Sequence, residues 1–124
     1  MTARRWLSIV AGVSLVYDVT VGCLLLVATN AVARWFSVPL PSEILFVKLD
    51  AIFLMCVGLG YVLPLRRPET YRGYLWIFGP LLKGAGAIAF LADHYLNGSP
   101  SSFLVFAASD GTIALATLAA LLKR

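Results

Sequence analysis

Charged side chains are scarce in this 124-residue chain, and long stretches of the sequence have almost none. Charged residues make up 13% of the chain and hydrophobic residues 60%, and the mean hydropathy is +0.89. Soluble domains use roughly 45–50% apolar residues, so this composition argues against a soluble globular domain and favours a protein embedded in a bilayer. The length suits one domain, and we expect residues 1–124 to form a single integral membrane domain.

The usual side chains of metal and redox chemistry are also rare. The chain has one histidine, His94, and two isolated cysteines, Cys23 and Cys56, with no Cys-x-x-Cys motif. We therefore expect no metal site, haem, redox disulfide or other cofactor. Neither a Ser–His–Asp arrangement nor paired glutamates occur, which disfavours an enzyme. Basic and aromatic residues do not interleave as a nucleic-acid interface requires, so no nucleic-acid partner is expected.

What the sequence does contain is four hydrophobic stretches, each about as long as the roughly 20 residues of a membrane-spanning helix. They predict an all-α, four-transmembrane-helix bundle with helices at about 6–28, 43–63, 74–91 and 102–122. The predicted N-caps and stop signals are Ser42, Ser101 or Ser102, Pro64 and Asn97–Gly98. The first stretch is too long for a signal peptide and carries Asp18 in its middle, so we interpret it as a retained helix.

Basic residues indicate the orientation of such a bundle. Only Arg34 falls in the connections on one side of the predicted membrane, within an interfacial helical turn at 33–36. The other side carries Arg4, Arg5, Arg66, Arg67, Arg72, Lys123 and Arg124. The positive-inside rule then predicts cytoplasmic N- and C-termini. We interpret the net charge of +4 as a consequence of the membrane topology and of attraction between the basic residues and anionic lipid.

Each hydrophobic stretch carries an ionisable side chain in its interior, where a charge costs roughly 2.5–3.5 kcal/mol on insertion scales. At about 1.5 Å per residue, all four lie some 11–15 Å from the outer ends of their predicted helices. We therefore predict that they meet in one layer, as a four-residue centre that binds a ligand or protons. Its members are Asp18, Asp50, Lys83 and Asp110.

Neighbouring side chains extend this prediction. Steps of about 100° per residue place several polar residues on the same helix faces as the charges or beside them. These predicted supporting residues are Ser14, Tyr17, Tyr61 and His94. Lys48 points about 200° away from Asp50, and we assign it to the membrane interface rather than to the centre.

Three hypotheses remain open for the four-residue centre. Three carboxylates and one ammonium leave two excess negative charges, so one or two carboxyls are expected to be protonated near neutrality. The first hypothesis is a binding or accessory protein for a small amphiphile, quinone, lipid or partner subunit. The second is a proton-coupled transporter of cationic compounds, resembling the small multidrug resistance type, with Asp18 as the exchanging carboxylate. Lys83 counts against this hypothesis because it would repel a cation. The third is a structural scaffold in which Asp–Lys pairs fix the helix register.

Three motifs on the second and third segments resemble small bacterial membrane proteins of the broad DoxX-like group. They are Gly-Leu-Gly-Tyr at 58–61, Arg-Arg-Pro-Glu at 66–69 and Gly-Pro-Leu-Leu-Lys-Gly at 79–84, followed by an acid at Asp110 in the fourth segment. The resemblance implies a four-helix bundle of the bacterial-type inner membrane and an intramembrane pair between Lys83 and Asp110. Some members of the group are associated with quinone-linked oxidoreductase complexes. Because four helices bury little surface, we also expect a homo-oligomer or a partner membrane subunit.

Overall fold

The computed structural model describes residues 2–123, which are helical over most of their length and contain no β-strand. The helices are α1 (Ala3–Val27), α2 (Thr29–Trp35), α3 (Ile44–Arg66), α4 (Arg72–Asn97) and α5 (Phe103–Leu122). Among the described residues, α1, α3, α4 and α5 are long and apolar enough to span a membrane. The prediction of an all-α chain with four candidate membrane spans is thus confirmed. Arg124, counted above among the basic residues, lies outside the described range.

Helix α3 continues beyond the predicted stop at Pro64. It consists of two pieces, Ile44–Gly60 and Val62–Arg66, which meet at Tyr61. Pro64 lies in the first turn of the second piece, where backbone N–H groups have no partner within the helix. The missing N–H of proline therefore costs little there, and the prediction that Pro64 ends the helix is wrong.

Helix α4 contains a wide turn that the sequence analysis did not anticipate. Residues Ile77–Leu81 form a π-helical turn around Pro80, a distortion that accommodates a ring without an N–H donor inside a helix. The buried residues of α4 recur at every fourth position: Leu75, Gly79, Lys83 and Ala87. In a regular helix with 3.6 residues per turn this spacing would drift by about 40° per step, and the wider turn reduces that drift. The π turn thus helps to aim Lys83 inward.

The opposite end of α4 also extends further than predicted, to Asn97 rather than Leu91. The side chain of Asn97 donates to Asp93 Oδ1 at 2.8 Å, so polar residues continue the helix instead of ending it. Gly98 then ends it with a left-handed φ of 71°. Its N–H bonds to the carbonyl of His94, which is a common helix terminator. The predicted stop at Asn97–Gly98 is confirmed, and the earlier boundary at Leu91 is wrong.

The long helices pack in a defined order. Helix α1 lies between α3 and α5 and packs along both, and α5 packs along α4. The approach of α1 to α3 is close at Gly58, where an added Cβ would lie 2.8 Å from Val19 Cγ2 and 2.9 Å from Val19 N. The apolar core includes Leu7, Tyr61, Leu75 and Leu121.

Contacts near the helix ends bring the basic residues to one end of the bundle. Ser8 Oγ donates to the Leu65 carbonyl at 3.2 Å, and Arg72 donates to the Leu121 carbonyl at 2.7 Å. The start of α1, the α3–α4 connection and the end of α5 therefore lie together, and we call this the basic end.

The other end of the bundle holds α2, and we call it the α2 end. The ring of Phe36 packs on Phe106 with centroids 4.8 Å apart, and Ser102 donates to the Phe36 carbonyl. The predicted helical turn at 33–36 corresponds to the last residues of α2 and its C-cap. Ser102 occupies the N-cap position of α5 without a side-chain capping bond, because its hydroxyl is engaged by α2. At the start of α3 the N-cap is Glu43 rather than the predicted Ser42.

Candidate functional site

A buried ion pair joins α1 to α4 in the interior of the bundle. Lys83 Nζ donates to both carboxylate oxygens of Asp18, at 2.7 Å to Oδ1 and 2.8 Å to Oδ2. The Asp18 residue is 0% exposed and Lys83 is 4% exposed. Two charges removed from solvent are tolerated only when they are paired and hydrogen-bonded, and this geometry meets that condition. The predicted association of Asp18 with Lys83 is observed.

Two tyrosine rings flank the ammonium group of this pair. Lys83 Nζ lies 5.8 Å from the ring centroids of both Tyr17 and Tyr61, within the range of a cation–π interaction. The two rings are held by their hydroxyls. Tyr17 shares a 2.7 Å hydrogen bond with Ser109 of α5, and Tyr61 donates to the Phe78 carbonyl in the π turn at 2.8 Å. The structure therefore places both of these predicted supporting residues beside the ion pair.

A third tyrosine, Tyr74 of α4, completes a reciprocal connection between α3 and α4. Tyr74 donates to the carbonyl of Val57 in α3, while Tyr61 of α3 donates to Phe78 in α4. The rings of Tyr61 and Tyr74 meet edge to face with centroids 5.1 Å apart. Sequence reasoning missed Tyr74 because nothing local marks a phenol whose partner is a carbonyl on another helix.

Asp110 lies beside the ion pair and is not part of it. Its side chain is partly exposed, and it forms no ion pair with any residue in the described part of the chain. It interacts electrostatically with Lys83 and neighbours the Tyr17 hydroxyl. Its Oδ2 would lie 3.7 Å from a Cβ added at Gly86, so the carboxylate faces bare backbone of α4. The DoxX-like resemblance implies a pair between Lys83 and Asp110. This pair is not formed, because the Lys83 ammonium is already paired with Asp18.

Asp50 is not brought into this cluster. Steps of 100° per residue place Asp50 on the same face of α3 as Val57 and Tyr61, which are both buried. Asp50 itself is exposed, because the outer part of α4 (Leu82–Asn97) does not pack along α3 in the described chain. The helices meet near the basic end and leave Asp50 uncovered. The structure therefore reduces the predicted four-residue centre to a three-residue centre of Asp18, Lys83 and Asp110.

The remaining supporting residues divide between the two ends of the bundle. Ser14 is fully buried one turn from Asp18, and its hydroxyl has no hydrogen-bond partner among the described residues. His94 lies eleven residues beyond Lys83, about 16 Å along the helix axis, so it does not reach the centre. Its Nδ1 instead donates a hydrogen bond to the Ser99 carbonyl at 2.7 Å. Lys48 is exposed, as expected for an interfacial lysine.

A shallow, open apolar groove lies along the surface of α1. Its volume is about 550 Å³, within the range of small-molecule sites. The lining residues are Gly12, Val13, Val16, Tyr17, Thr20 and Val21. Tyr17 connects this groove to the three-residue centre, because its ring flanks Lys83 and its hydroxyl bonds to Ser109 of α5. We call this the α1 groove.

Fold and site together define a helical multi-pass membrane protein with a buried ion pair and one additional acid. The arrangement can hold a proton on Asp110 or bind a polar group there. No known protein family matches the chain, and no curated protein or solved structure shows significant similarity to it. Its function must therefore be argued from its own residues.

Proposed function

We propose that this chain is an integral membrane binding or accessory protein for a small amphiphile, such as a quinone or a lipid. The polar head of the ligand would bind at Asp110 and Tyr17, and its apolar tail would lie in the α1 groove. One observation carries the proposal: Asp110 is an intramembrane acid that has no ion-pair partner among residues 2–123, and it lies next to a pair that is already complete. Ionisable residues within membrane spans usually mark functional sites.

A purely structural role explains part of the centre but not all of it. The Asp18–Lys83 pair neutralises itself and connects two helices, so it needs no further acid. If all three groups are ionised, Asp110 adds an excess negative charge that the fold does not require. We therefore assign the pair to holding the bundle together and Asp110 to binding.

The transporter hypothesis fits the observed geometry less well. Both oxygens of Asp18 accept hydrogen bonds from Lys83. Proton or cation exchange at Asp18 would require Lys83 to withdraw first, which would leave two buried charges unpaired at high cost. A proton exchanged in this protein would bind more readily to Asp110.

We further propose that the protein lies in a bacterial-type inner membrane with its basic end in the cytoplasm. The clustering of Arg72, the start of α1 and the end of α5 at one end supports this orientation through the positive-inside rule. The DoxX-like resemblance supports the same membrane and an association with quinone-linked partners. A homo-oligomer or a partner subunit remains part of this proposal.

Binding of two probe amphiphiles to the purified protein in a maltoside detergent tests the proposed site. The probes are a benzoquinone with a decyl tail and decylamine, and binding is measured as the rise in melting temperature with probe concentration. We expect one of them to bind, and Asp110→Asn or Tyr17→Phe to weaken binding about tenfold, as expected for a lost hydrogen bond to a charged group.

Asp50→Asn is the matched control, since it neutralises an acid in another span that the structure places outside the centre. It should leave binding unchanged. The proposal would be contradicted if neither probe bound, or if Asp110→Asn bound the probes as tightly as the unchanged protein. Preference for the amine would indicate an ionised Asp110, and preference for the quinone a protonated Asp110 that donates.

A further inference from the structure

A second groove lies at the basic end, away from the three-residue centre. It runs between the first turns of α1 and the last turns of α5, and its volume is about 340 Å³. The lining residues are Trp6, Val10, Ala116, Ala119, Ala120 and Lys123. Three of these six are alanines, so apart from Lys123 the α5 side of the groove carries only small apolar side chains. We call this the basic-end groove.

A cation and an aromatic ring stand together at the mouth of this groove. Lys123 Nζ lies 5.5 Å from the Trp6 ring centroid. Tryptophan and lysine at the end of a membrane span are typical of the headgroup layer. Arg4, Arg5 and Ser8 line a separate hollow at the same end of α1, on the side where Ser8 bonds to α3. Lys123 is therefore the cation that stands at the groove itself, within an end of the bundle that is basic as a whole.

The groove extends from the end of the bundle into the membrane span. From Trp6 to Val10, and from Lys123 to Ala116, the walls extend one to two helical turns, about 6–10 Å into the span. The basic group at the mouth would face a lipid headgroup, and only apolar side chains would face the acyl chain deeper in the span. We infer that the basic-end groove binds an anionic phospholipid, with its phosphate at Lys123 and an acyl chain over the alanines.

Charge argues against a second copy of the chain as the occupant. A two-fold contact places the same surface of both copies against each other. The basic surface around Lys123 would then face the same basic surface of the other copy, and such like-charge contacts are costly. An acidic lipid instead supplies the complementary charge, and each basic residue near the membrane surface contributes about a fivefold gain in binding. This inference depends on the membrane fold and not on the ligand proposed for the α1 groove.

Quenching of Trp6 fluorescence by brominated lipids tests this site. Trp35→Phe and Trp76→Phe leave Trp6 as the sole tryptophan, and this protein is reconstituted into phosphatidylcholine vesicles. The vesicles contain either acyl-brominated phosphatidylglycerol or acyl-brominated phosphatidylcholine in equal amounts. We expect stronger quenching by the anionic lipid, and Lys123→Gln should reduce the preference about fivefold.

Two further variants distinguish lipid binding in the groove from general electrostatic attraction to a basic surface. Lys48→Gln removes an exposed lysine from another helix and should leave the preference unchanged. Ala119→Leu fills the groove and should weaken quenching by the anionic lipid. Equal quenching by the two lipids, or a preference that survives Lys123→Gln, would overturn the inference. A dimer that shields Trp6 from both lipids would overturn it in favour of a second copy.

Discussion

At the scale of single residues, the structure separates two roles that the sequence presents as one cluster. Lys83 has one partner, Asp18, and the two are mutually satisfied in the interior. Asp110 is left beside them as a group that can change its protonation or its partner. The number of charges in the membrane is therefore less informative than which of them are already paired.

Ser14 offers a residue-scale prediction. Its buried hydroxyl has no hydrogen-bond partner in the described structure, and a polar group left unsatisfied in this way costs free energy. We expect Ser14→Ala to leave the free energy of unfolding unchanged or to increase it by up to about 1 kcal/mol. The melting temperature should accordingly stay the same or rise. A marked loss of stability would instead mean that the hydroxyl has a buried partner, such as an ordered water molecule.

At the scale of helices, the absence of a side chain at one glycine explains how closely α1 approaches α3. Gly58 lies against Val19, and an added methyl group would approach both the side chain and the backbone nitrogen of that residue. Van der Waals packing of small residues drives helix association within membranes. The contact therefore holds in place the helix that carries Asp18.

We predict that Gly58→Ala destabilises the protein by about 1–3 kcal/mol, as overpacking of a close contact does. Gly84 provides the matched control, because an added Cβ there has open space around it within a regular part of α4. Gly84→Ala should be neutral or slightly stabilising, since alanine favours a helix over glycine. Thermal unfolding in detergent measures both, and equal effects of the two variants would contradict the packing account.

Hydropathy alone was sufficient to place the four long helices, and a regular 100° step reproduced the buried face of α1. Ala11, Ser14, Asp18 and Gly22 are all buried as expected. The π turn in α4 was not predictable, because proline marks a distortion without specifying its form. The exposure of Asp50 was also out of reach, since it depends on α4 not covering that part of α3. Helical periodicity defines a face, and only the tertiary structure shows whether another helix covers it.

At the scale of the whole molecule, the two ends of the bundle differ in character. The basic end has the apolar core, the tyrosine hydrogen bonds between α3 and α4, and the groove at Trp6. The α2 end has phenylalanine contacts, and there Phe90 and Phe106 stack at 5.5 Å. The three-residue centre lies between these regions.

The predicted orientation can be measured by labelling single cysteines in intact cells. Cys23→Ser and Cys56→Ser provide the background, and Glu69→Cys and Ser101→Cys place one thiol in each of two exposed connections. We expect a membrane-impermeant maleimide to label the Ser101→Cys variant, and to label Glu69→Cys only after the membrane is opened. The reverse pattern would place the basic end outside and contradict the positive-inside interpretation.

The central claim is that Lys83 is held by Asp18 and that Asp110 is independent of this pair. Its most direct test is the melting temperature in detergent of Lys83→Met alone and combined with Asp18→Asn or with Asp110→Asn. We predict that Lys83→Met alone costs about 3–5 kcal/mol, because it leaves a buried carboxylate unpaired. Adding Asp18→Asn should restore most of this stability, and adding Asp110→Asn should restore little. Rescue by Asp110→Asn but not by Asp18→Asn would contradict the account.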